Sequence, residues 1–150
     1  VEMLTPVHMI EHALSAHHGI THGAGLAVVN PAWMRFAAKA RPAKFVQFAE
    51  RIFGLSGADK DDQRLAMEGI DTFEAFLRDI GCPTRLSELG IGDELFSQYA
   101  EDAALVLRDE DGNLLGRPVM SEEDIVKLRK PETIGIDEES GCGLVAGQLQ

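Results

Sequence analysis

Positive charge is scarce in this sequence. Fourteen Lys and Arg stand against 25 Asp and Glu, leaving a formal net charge of −11. Nucleic-acid binders draw most of their affinity from neutralising phosphates with Lys and Arg. The balance therefore excludes nucleic acid as a partner and argues equally against an anionic membrane surface, while an acidic exterior serves solubility. Long hydrophobic runs are missing too, since no stretch approaches the roughly 18 apolar residues of a membrane span. Cysteine occurs only at Cys82 and Cys142, far apart and in no motif. A disulfide framework needs more, which points to a reducing, cytoplasmic compartment. Neither a signal peptide nor an initiator Met is present, and the chain opens at Val1 within a few residues of a helical pattern. It is expected to be a piece that begins inside a longer protein. Period-2 strand alternation and internal repeats are also lacking.

What is present reads as helix. With 45% apolar residues, a chain of this size buries roughly 70% of its unfolded surface around one core. Thr5-Pro6 looks like an N-cap followed by proline at the first helical position. The segment from Val7 to His18 then sets Ile10, Leu14 and His17/His18 on one side, and Gly19 can stop it. Thr21 can cap a second helix from His22, which Asn30-Pro31 either restarts or kinks. Pro42 opens a third, with Phe45, Phe48, Ile52 and Phe53 as one apolar stripe. The longest helix is expected over Asp61 to Ile80, with Leu65, Ile70, Phe73, Phe76, Leu77 and Ile80 inward. "TRLSELGIG" reads as a short helical turn or loop, "DELFSQYAEDAALVL" as an amphipathic helix and "DEDGNLLGR" as turn chemistry. Ser121 caps "EEDIVKL", with Asp124 completing a variant of the capping box. The predicted architecture is an all-α domain over residues 1–130. Residues 131–150 carry four acidic residues, no basic ones and four glycines, and are expected to be a loosely ordered tail.

Two motifs are false signals. "GCGLVAG" lacks both the G-x-G-x-x-G spacing and the flanking strand and helix of a dinucleotide fingerprint. "DEDGNLLGRPVM" opens like a calcium loop, but Leu114 stands where glycine is needed and Met120 where a bidentate Glu is needed. A plain turn accounts for it.

The histidines are different, for all five lie between His8 and His22. His8 and His12 are four apart and share one helix face. If the chain turns after Gly19, the start of the next helix folds back and sets His22 opposite them. Imidazoles projecting from packed helices into one cavity make a metal site, suited to a borderline divalent ion such as iron or zinc. Glu11 falls on a different face from His8 and is a poor fourth ligand. H-E-x-x-H is absent, so a zincin-type protease is not supported. Trp33, Met34 and the phenylalanines are most simply core. A non-catalytic helical metal-binding or interaction module is the alternative function that these residues leave open.

At this point the residues carry a resemblance. "HMIEHALSAHHGITHGAGLAVVNPAWM", His8 to Met34, resembles the metal-site stretch of the iron-containing, or group III, alcohol dehydrogenases, most like the butanol dehydrogenase and aldehyde reductase branch. "AKFVQFAERIFGL", "DTFEAFLRDIGCPTRLSELGI" and "MSEEDIVKL" are similar to its later helices in the same order. The resemblance implies the C-terminal helical domain of a dehydroquinate synthase-like fold, whose N-terminal α/β domain holds NAD(P). It implies His8 and His22 as metal ligands, and His12 near the nicotinamide and substrate as the group that helps move a proton. The remaining ligands, an Asp and a His, belong upstream of Val1. An alcohol or aldehyde is the implied substrate, iron or zinc the implied ion, and a homo-oligomer the implied state of the full-length enzyme.

Overall fold

A computed structural model describes residues 6–92, 94–106 and 108–128. Five α-helices of eleven residues or more dominate: α1 (Pro6–His18), α2 (His22–Ala40), α3 (Pro42–Phe53), α4 (Asp62–Asp79) and α5 (Phe96–Val106). A 3₁₀ turn covers Leu86–Leu89, and a short α6 spans Glu122–Lys127. Among the described residues strand pairing is confined to isolated bridges of Leu114 with Arg108 and Met120. The all-α expectation is met. The expected Thr5 cap and the tail at 131–150 lie outside the described residues.

The breakers act where the sequence sets them. Gly19 closes α1 and Gly54 closes α3, both in the left-handed region with φ of +62° and +66°, where a side chain would be strained. Pro42 sits at the first position of α3. Asp61 caps α4 by accepting from the Arg64 amide at 2.8 Å. Ser121 caps α6, accepting from Asp124 N at 3.2 Å while Asp124 Oδ2 takes the Ser121 amide at 3.0 Å. Pro31 does not restart a helix. α2 runs continuously through it, with the ring fully buried.

α2 is the shared wall of two apolar clusters. One gathers Ile10 and Leu14 of α1, Val29 of α2, Tyr99 and Ala103 of α5, Leu114, Met120 and Ile125. The other gathers Met34 and Ala38 of α2 with Ala66, Met67 and Ile70 of α4, and Phe45, Phe48 and Phe73 pack against it. Trp33 packs against both.

Three expected core positions are corrected. Ile52 is 65% exposed, Phe76 49% and Ile80 57%. A Cβ on Gly69 would stand 2.5 Å from the Ala49 Cβ, so the two helices touch backbone to backbone through their smallest residues. Ala49 is fully buried at that contact, whereas Ile52, about 60° round α3 from it, stays exposed with no structural explanation. His17 and His18 lie on the side of Ile10 and Leu14, toward α5, though both are exposed.

Candidate metal centre

Three residues, Gly19 to Thr21, separate α1 from α2. Gly19 turns the chain, and the start of α2 then lies beside α1. This brings His22 opposite His8 and His12, which α1 carries one turn apart. One nitrogen from each of the three rings lies within 4.8 Å of the others. His8 Nδ1 and His22 Nε2 are 3.2 Å apart. The ring centroids are 5.2 Å apart for His8 and His22, 5.3 Å for His12 and His22 and 6.3 Å for His8 and His12. His8 is half-buried, whereas His12 and His22 are exposed.

The donor set fits a borderline divalent ion. Nitrogens at about 2.0–2.1 Å around a tetrahedral ion stand roughly 3.3 Å from each other, close to the separation of His8 and His22. Neutral imidazole suits iron and zinc. Among the described residues this trio is the one group of His, Cys, Asp or Glu side chains arranged to hold an ion.

The other two histidines lie outside it. His17 Nε2 is 2.7 Å from Asp102 Oδ2, and His18 Nε2 is 2.5 Å from the Tyr99 hydroxyl. Both fasten the end of α1 to α5. The His17 hydrogen bond, with a further one from Gln98, holds the Asp102 carboxyl below the usual carboxylate range. Burial, with Glu94 nearby, pushes the Tyr99 phenol up.

Glu11, set aside above as a poor fourth ligand, makes a contact that its spacing did not show. It is not one of the ion-facing groups, yet it is fully buried and belongs to the centre. Its carboxylate accepts from the Ser15 hydroxyl and shares a hydrogen bond with His22 Nδ1. Glu11 stands three residues from His8, and the ring that it meets arrives from α2. The signal that could have found it is the pair of small polar and glycine positions around it, Ser15 one turn on and Gly25 one turn into α2.

The calcium-like loop is satisfied by itself. Asp109 Oδ1 accepts from the amides of Asn113 at 2.8 Å and Asp111 at 3.1 Å, and these bonds, the Asn113 amide foremost, hold its carboxyl below the usual range. No described helix is long and apolar enough to cross a membrane.

Known proteins share this arrangement of helices. The sequence profile of the Fe-containing alcohol dehydrogenase family, C-terminal, matches residues 2–132. The probable NADH-dependent butanol dehydrogenase 1 of Bacillus subtilis is 37% identical over 123 residues, covering 82% of this chain and 30% of that protein. The NADPH-dependent aldehyde reductase YqhD of Escherichia coli is 36% identical over 84 residues, 56% of this chain and 21% of the reductase. A crystal structure of an NADH-dependent butanol dehydrogenase A from Thermotoga maritima superposes with a TM-score of 0.72 at 37% identity, over 83% of this chain and 31% of that one. The chain thus spans about 30% of the length of the Bacillus protein. A profile match over nearly the whole chain, with helices that superpose on a solved relative, places this protein in the Fe-containing alcohol dehydrogenase family, as its C-terminal helical domain.

Proposed function

We propose that this chain supplies the metal-site half of a metal-dependent, NAD(P)-linked oxidoreductase that interconverts alcohols and aldehydes. The observation that carries the reading is the convergence of His8, His12 and His22 across the α1–α2 hairpin. Relatives named as NADH-dependent butanol dehydrogenases and an NADPH-dependent aldehyde reductase support the reaction class.

In this reading His8 and His22 are ligands, and an Asp and a His on a helix upstream of Val1 complete the set. When bound, a divalent iron or zinc ion supplies a Lewis acid for the oxygen of the alcohol or aldehyde. NAD(P), held mainly by the N-terminal α/β domain, supplies or accepts the hydride. His12 is exposed and stands beside the ligand pair. It therefore hands the substrate hydroxyl proton on toward solvent as a neutral imidazole. The full-length enzyme is a cytoplasmic homo-oligomer.

Two measurements test this. Co2+ added to the 150-residue chain gives visible d–d bands that His8→Ala and His22→Ala each abolish and His12→Ala retains. Bands of wild-type strength in both ligand variants overturn the assignment. The chain alone shows no NAD(P)H-linked turnover of butanol or butanal, and detectable turnover refutes the division of labour between two domains.

A further inference from the structure

We propose that Glu11 is the positioning residue of this centre. Seated in space left by Gly25, it locks His22 in the tautomer and orientation that leave Nε2 free for an ion. The proposal rests on the metal reading above.

Glu11 is the buried charged side chain of the described core, with no exposed surface. Interior carboxylates are unfavourable unless hydrogen bonds compensate them, and the two bonds found here are specific. The Ser15 hydroxyl donates to Oε1, and His22 Nδ1 bonds Oε2. With the carboxylate as acceptor, His22 Nδ1 carries the proton in this proposal. That leaves Nε2, 3.2 Å from His8 Nδ1, with a lone pair on the side of the other imidazoles. His22 needs such a restraint. It opens α2, and its side chain is 48% exposed, so packing does not fix the ring. Carboxylates that take the far N–H of a ligand histidine fix its tautomer and raise its basicity.

Gly25 is the second, independent part of the device. It lies inside α2 at an ordinary helical φ, where glycine weakens a helix relative to alanine. Backbone conformation gives no reason for it, but space does. A Cβ at Gly25 would stand 2.5 Å from Glu11 Oε1, 2.7 Å from Cγ and 3.0 Å from Cδ. Glu11 is enclosed, so its carboxylate cannot swing into solvent to make room. The missing side chain of α2 is the seat for the acid of α1.

The experiment uses the 150-residue chain with its imidazoles neutral. Long-range 1H–15N correlation of the histidine rings in metal-free protein shows His22 as the Nδ1–H tautomer. Glu11→Leu and Gly25→Ala shift it toward the Nε2–H form, and Glu11→Gln, which keeps an accepting oxygen, restores the wild-type state. Co2+ affinity, read from the visible bands, falls tenfold or more in the first two variants and less than threefold in Glu11→Gln. A wild-type His22 in the Nε2–H form overturns the proposal without any variant. So does an unchanged tautomer, or unchanged Co2+ affinity, in folded Glu11→Leu and Gly25→Ala, with the metal reading left intact. Wild-type protein whose Co2+ bands are absent, or indifferent to His8→Ala, overturns the metal reading and this proposal with it.

Discussion

Ala49 lies directly over Gly69, so that a Cβ on Gly69 would meet Ala49 Cβ at 2.5 Å and its Cα at 3.0 Å. Both obstructing atoms are fixed to the α3 backbone and cannot rotate away. Gly69→Ala gains roughly 0.5–1 kcal/mol of helix propensity, but overpacking a closed contact costs about 1–3 kcal/mol. The contact prevails, and a net loss of about 1–2 kcal/mol is expected from urea unfolding. Gly23→Ala is the control, because nothing lies within 4 Å of its new Cβ and its φ is not positive. It leaves stability unchanged or raises it by up to about 1 kcal/mol. Equal effects of the two substitutions would refute the backbone-contact account.

The caps make a graded series. Asp61 and Ser121 each accept an amide of the first turn that follows, whereas Thr21 at the start of α2 makes no such side-chain bond. Asp61→Ala and Ser121→Ala are each expected to cost about 1 kcal/mol. Thr21→Ala falls within about 0.5 kcal/mol of wild type. A Thr21→Ala loss as large as that of Asp61→Ala would show that hydroxyl bonding is not what separates them.

The helices were legible because their ends are written in residues with one local meaning: Gly19, Gly54, Pro42, and Ser121 with Asp124. Spacing also carried much of the centre. His8 and His12 share a face, and a glycine between them and His22 allows the chain to return. Burial on α3 and α4 was less legible. Apolar spacing marks a stripe but does not say how close the neighbour comes or how much of the stripe it covers, and Ile52 stays exposed within the stripe. Phe76 and Ile80 continue the stripe of α4 beyond the residues that α3 covers. The contact of Glu11 with His22 was not legible, for a related reason. A wheel drawn for one helix shows which residues of that helix lie together, but the partner of Glu11 belongs to the next one.

Asp102 brings a pH dependence of known sign. Its folded-state pKa lies below the ordinary value, held there first by the His17 hydrogen bond and then by Gln98. A carboxyl of this kind stabilises the fold above its unfolded pKa, about 3.9. That contribution fades as pH falls below this value toward the folded pKa. Thermal melts of wild type between pH 5 and pH 2 should therefore lose stability more steeply than those of Asp102→Asn, with the curves parallel above about pH 5. Parallel curves throughout would show that the link between α1 and α5 does not depend on the charge of Asp102.

Metal binding should register as stability. An ion that binds the folded chain alone, at a hundredfold excess over its Kd, adds about 2.7 kcal/mol. Zn2+ is expected to raise the melting temperature of wild type and of His12→Ala, and to leave His8→Ala and His22→Ala unmoved. A shift that survives in both ligand variants would place the binding elsewhere on this acidic surface.

The Gly19 turn has a consequence for how the whole centre assembles. His8 and His22 stand on one hairpin, fourteen positions apart, and their loop-closure entropy is already spent in folding α1 against α2. The second nitrogen therefore meets an ion held by the first at a high effective concentration. If His8 and His22 are the ligands proposed above, the hairpin acts as a two-toothed chelating arm, assembled by the fold before any ion arrives.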